Sequence, residues 1–100
     1  MSVINLGEVL YVTERKRGLQ KAQDMLAVVG KLPIHIVDAD RAQTLIAANI
    51  KAHWHIAYAD CFAAALARIE GATVVTGDPE FKQLDEASIV PVRWLITITK

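Results

Sequence analysis

The sequence predicts an α/β domain built on a mostly parallel sheet. Two observations carry this. Short apolar runs, IHIV at 34–37, ATVVT at 72–76 and one inside SIVPVRWL at 88–95, are separated by stretches of helical periodicity. The run at 72–76 is also continuous rather than alternating, as in a strand of a parallel sheet.

Residues 5–17, NLGEVLYVTERKR, read as the first helix, with Leu6, Val9, Leu10 and Thr13 on one face. Asn5 is the predicted N-cap, Glu8 completes a capping box, and Gly18 stops the helix. Residues 19–30 predict a second helix, with Ala22, Met25, Leu26 and Val29 inward and Gly30 at its end. Pro33 then introduces the strand at 34–37. Asp40, with Gln43 at the capping-box position, starts a helix over 41–52 whose predicted inner face is Leu45, Ala48 and Ala52. HWHI at 53–56 is a connection. Residues 60–70 predict a helix that is apolar almost all round, hence buried, with Gly71 as its stop. After the strand at 72–76, Gly77-Asp78-Pro79 is a turn, with Pro79 suited to the first position of a short helix. The ITITK ending alternates as a strand does.

The 100 residues fit one domain, 1–100, without repeat or linker. Lys and Arg number 11, as do Asp and Glu, so no global field draws the chain to nucleic acid or membrane. The apolar share of 53% is high and leaves surface for a partner. Cys61 is the sole cysteine, which excludes an internal disulfide and a cysteine-built zinc site within one chain. No basic-then-apolar leader opens the sequence, and no run reaches the roughly 18–20 apolar residues of a membrane helix. The expected location is cytoplasmic.

Asp60 and Asp78 bracket a segment that otherwise reads as core. Asp78 lies just past a strand end, where ligands of parallel sheets bind. Each acid has a plain structural reading. Asp78 can cap the helix that Pro79 opens, Asp60 can face a helix dipole, and Glu8 can close a capping box. The combination suggests more, because a partly buried carboxylate is costly without a positive partner. A divalent cation held by oxygen ligands would be that partner.

VINLGEVLY at 3–11, YADCFAAAL at 58–66 and TGDPEF at 76–81 resemble the acidic motifs of PIN-domain ribonucleases, specifically VapC-type toxins of toxin–antitoxin pairs. The resemblance runs over essentially the whole chain. It implies an α/β/α sandwich around a parallel sheet and metal-dependent cleavage of RNA. Residue by residue, it implies that Glu8, Asp60 and Asp78 are catalytic and bind Mg2+ or Mn2+, with Asn5 and Thr76 in support. The family opens on a central strand that carries its first acid, and Met1-Ser2-Val3-Ile4 resembles the approach to the second motif instead. The resemblance therefore implies a truncated form lacking that first strand. Rearrangement, the ITIT tail or another chain would fill the gap, which with the apolar surface predicts a homodimer.

Arg15, Lys16, Arg17 and Lys21 form the one basic cluster, either a solvated helix end or a contact to RNA or an acidic antitoxin. His53 and His55 flank Trp54 as a surface feature rather than a metal pair, and Cys61 reads as core. A competing function is a non-catalytic remnant that dimerises or engages an antitoxin. A nucleotide-binding flavodoxin-like domain is disfavoured because no glycine-rich phosphate loop follows a strand.

Overall fold

The computed structural model describes residues 1–94, and they form an α/β fold with five α-helices and a small parallel sheet. The helices are α1 (Val3–Arg17), α2 (Leu19–Lys31), α3 (Arg41–His53), α4 (Tyr58–Glu70) and α5 (Lys82–Glu86). The strands are β1 (Val74–Thr76) and β2 (Val92–Trp94). The expected strand character of ITITK falls on residues outside the described ones. Two compact units divide the chain, Met1–Ala39 and the part from Asp40 onward.

In the first unit, α1 and α2 pack together. The helix α1 begins two residues earlier than its sequence pattern suggests. Ser2, not Asn5, is the N-cap, and its hydroxyl accepts from the Ile4 amide at 3.3 Å. Asn5 and Glu8 thus lie within the helix, and the predicted capping box is not the one used. Ser2 is held from both sides: the Val37 amide donates to the Met1 carbonyl and the Val3 amide to the Val37 carbonyl, each at 2.8 Å. That exchange makes Ser2–Val37 a single parallel bridge. It is all that forms of the strand expected at 34–37, because a strand persists only as far as its partner does. Gly18 ends α1 at φ +90°, a backbone state that favours glycine, and also starts α2. The helix α2 continues through Gly30 to Lys31. Ala22 is buried as expected, but Val9 and Leu26 are exposed.

In the second unit, Asp40 caps α3 as its sequence predicts, with its Oδ1 accepting from the Gln43 amide at 2.8 Å. The buried face of α3 is not the expected one. Gln43, Ala47 and Ile50 are buried, whereas Leu45 is 61% exposed and Ala48 and Ala52 face solvent. This face packs against α4, whose buried residues are Cys61, Phe62, Ala64, Ala65, Leu66 and Ala67. Alanines at 64, 65 and 67 let the neighbouring backbone approach closely. Ile69 on the same helix is exposed, so α4 is buried on most of its surface but not all round. Gly71 terminates α4 in the left-handed conformation, φ +63°, and its amide reaches back to the Ala67 and Arg68 carbonyls.

The chain then enters β1, which is shorter than the predicted 72–76, and Val75 is exposed. β1 pairs with β2 in parallel, Val74 opposite Val92 and Thr76 opposite Trp94. A parallel pair needs a crossover. Here it consists of a short 3-10 turn, Pro79–Phe81, and α5, with Phe81 and Leu84 as its buried anchors. Ser88 holds the left-handed position after α5, φ +56°, while the Ile89 amide bonds back to the Leu84 carbonyl. Among the described residues no helix is long and apolar enough to cross a membrane.

The α3 packing has a measurable consequence. Ile50→Ala is expected to lower unfolding free energy by about 2–4 kcal/mol, since Ile50 is 1% exposed. Leu45→Ala is expected to change it by no more than about 0.5 kcal/mol. Urea denaturation of both variants checks this, and the reverse order would mean that the other face of α3 is the buried one.

Candidate metal centre

The site is built where β1 ends. Past Thr76 the chain turns through Gly77 and Asp78. The Asp78 amide donates to Thr76 Oγ1 at 2.9 Å, which closes a small side-chain-to-backbone turn. Asp78 Oδ1 then accepts from the Glu80 amide at 2.9 Å and caps the 3-10 turn. Pro79 occupies the first position of that turn, where its missing N–H costs nothing. The capping reading of Asp78 is therefore correct, and it uses only one of the two carboxylate oxygens.

The other wall is the start of α4. Its N-cap is Ala57, which has no side chain able to cap. The acceptor for the Ala57 amide comes from across the site, as Glu80 Oε1 at 3.2 Å. Two further side chains hold the connection before α4. Gln83 Oε1 accepts from the His55 amide at 3.2 Å, and Gln83 Nε2 donates to the His55 carbonyl at 3.0 Å. Lys51 Nζ donates to the carbonyl of buried Ile56 at 2.8 Å. Asp60 follows in the first turn of α4, half-buried, where the helix dipole favours a negative charge.

The outcome is a cluster of three acids. Asp60, Asp78 and Glu80 each bring a carboxylate oxygen to within 4.8 Å of the others. Beneath them Cys61 is buried, and burial pushes its thiol up. The Asp60 and Glu80 carboxylates push the same way, and only Lys51 opposes them. The thiol is held neutral and inert, in keeping with a core residue.

The sequence matches the PIN domain family over residues 1–87. The chain belongs to the PIN domain family. No curated protein and no solved structure matches it. PIN domains are in general divalent-metal-dependent nucleases with RNA as the general substrate.

The donor set of this PIN domain fits such an ion. Three carboxylates and no thiolate or imidazole form a hard, oxygen-only set suited to Mg2+ or Mn2+. Of the acids expected from sequence, Asp60 and Asp78 come together and Thr76 supports Asp78 directly. Glu8 lies half-buried in α1, in the first unit, and Asn5 in the first turns of the same helix. Glu80 is the member that sequence reasoning missed. Its signal was present: a capping Asp followed by Pro puts the next residue in the same tight turn, two positions from Asp78.

The basic cluster divides. Lys16, Arg17 and Lys21 line a groove of about 480 Å3 between α1 and α2, together with the apolar Val12, Met25 and Val28. Arg15 instead lies over the Tyr11 ring at 5.2 Å. His53 Nδ1 is 2.9 Å from the Asn49 carbonyl, and no histidine belongs to the acidic cluster.

The double duty of Asp78 separates two variants. Asn caps as well as Asp does, so Asp78→Asn is expected to keep stability within about 0.5 kcal/mol. Asp78→Ala removes the acceptor for the Glu80 amide and is expected to cost about 1 kcal/mol. Thermal and urea unfolding measure the difference, and equal losses would refute the capping role.

Proposed function

We propose that this chain is a metal-dependent endoribonuclease of the VapC toxin type, with Asp60, Asp78 and Glu80 holding Mg2+ or Mn2+. The observation that carries the reading is the convergence of these three carboxylates at the end of β1 in a PIN-domain chain. When bound, the ion supplies Lewis-acid polarisation of water and neutralises charge on the phosphodiester. The protein's part is to hold the acids in place. Asp78 and Glu80 are fixed by the turn after β1, and Asp60 by the first turn of α4. Glu8 enters as a further catalytic acid through its motif, and Asn5 as a supporting residue on the same ground.

The partners follow from surfaces. The groove carrying Lys16, Arg17 and Lys21, with Arg15 beside it, offers cations for RNA phosphates or for an acidic stretch of an antitoxin. The high apolar share, 53%, with Leu19 and Val28 in the first unit and Leu45 and Val75 in the second each more than half exposed, is the ground for proposing self-association as a dimer. Sedimentation velocity at micromolar concentration is expected to give a dimer, and a monomer alone would reject it. Co-expression with the product of a neighbouring gene is expected to suppress cleavage if the toxin–antitoxin reading holds. A chain that no neighbour restrains would reject that part.

The central test is cleavage of single-stranded RNA by purified protein. Activity is expected with Mg2+ or Mn2+ and to vanish with a chelator. Asp60→Asn, Asp78→Asn and Glu80→Gln are each expected to reduce it to background while the fold survives. Each change removes a charge with little change in volume, and the amide introduced by Asp78→Asn still caps the turn. Glu8→Gln is expected to do the same. Folded protein that cuts at no metal concentration would favour a non-catalytic binding module.

A further inference from the structure

Asp60 and the pair Asp78–Glu80 sit at the two ends of one excursion of the chain, out along α4 and back through β1. Their separation depends on how the connection before α4 meets the turn after β1. Gln83 bridges those two segments. Its amide grips one residue of the connection twice, accepting from the His55 amide at 3.2 Å and donating to the His55 carbonyl at 3.0 Å. The same Nε2 donates to the Glu80 carbonyl at 3.2 Å. One side chain thus ties the backbone of an acid in the cluster to the backbone that leads into α4. Glu80 repeats the link through its own carboxylate, on the Ala57 amide. Gln83 is neutral and carries no oxygen into the cluster, so it is no ligand. It fits the role of a group that orients ligands from behind.

We propose that Gln83 is a positioning residue that sets the spacing of Asp60 against Asp78 and Glu80 and thereby the affinity for a divalent ion. The inference rests on the metal reading given above. An amide is the side chain suited to the task. It is a donor and an acceptor at once, so it can pair with both polar groups of the His55 main chain. A hydroxyl would reach neither, and a carboxylate would lose both donations and add charge.

The test is Mn2+ binding by isothermal titration calorimetry to the wild-type chain and to Gln83→Met, which keeps the length and removes the amide. The dissociation constant is expected to rise about tenfold in the variant, the lower end for loss of an orienting partner. A purely structural role would lower the melting temperature without metal and leave the Mn2+ constant unchanged, and that result would overturn the proposal. Wild-type protein that binds no Mn2+ would overturn the metal reading and this inference together. Binding by the wild type with full retention in Gln83→Met would overturn this inference alone. If Gln83→Met does not fold, hydrogen exchange on the wild-type chain decides. Saturating Mg2+ is expected to slow exchange of the Ala57 amide, bonded to the ligand Glu80, and also of the His55 amide several-fold, because Gln83 would carry the fixing of Glu80 on to it. Unchanged exchange at those amides overturns the proposal.

Discussion

Three carboxylates with oxygens within 4.8 Å of one another repel, and the second unit is arranged around holding them there. The means is a relay of backbone donors. The Asp78 amide goes to Thr76, the Glu80 amide to Asp78, and the Ala57 amide to Glu80. Every link presents a positive N–H dipole to an oxygen of the turn or the cluster. The relay joins the end of β1, the 3-10 turn and the start of α4 into one piece. Without it, the acids would be free to swing apart into water. With it, they stay close enough to share a cation.

Packing beneath the relay makes it rigid. Phe81 and Leu84 are buried below the turn, and Ile56 below the connection into α4. Such anchors restrict the backbone on both sides of the site, so weak, partly exposed hydrogen bonds need only choose among few conformations. The alanine-rich face of α4 serves the same end. Small side chains let α4 pack closely on α3 and on β1, and the start of α4 and the end of β1 bring their acids together. Cys61, buried beside Asp60, is accounted for by this packing and is kept neutral by it.

Acids at such places serve two roles at once. Asp78 is a cap and a cluster member. Glu80 accepts from the Ala57 amide at the start of α4 and is a cluster member as well. A capping explanation and a ligand explanation do not compete here, because a carboxylate has two oxygens and a cap uses one. The acids are therefore preorganised by ordinary helix-end chemistry, with no special strain required.

Much of this was determined by sequence alone. The caps at Asp40, Asp78 and Gly71, the Pro79 start and the order of helices and strands rest on local rules, and local rules survive folding. Asp60 and Asp78 were legible for the same reason, as acids at element ends beside recognisable motifs. Only tertiary structure decided the rest. The inner face of α3 is Gln43, Ala47 and Ile50 rather than Leu45, Ala48 and Ala52, because α4 selects the face and an alanine-rich helix offers more than one. IHIV yields a single bridge, since strand pairing needs a partner of matching length. Ser2 rather than Asn5 caps α1, because Val37 fixes the backbone on both sides of Ser2. The Asp-Pro turn puts Glu80 beside Asp78 by a local rule, but its bond to the Ala57 amide, 23 residues away in sequence, is a contact that no local pattern encodes.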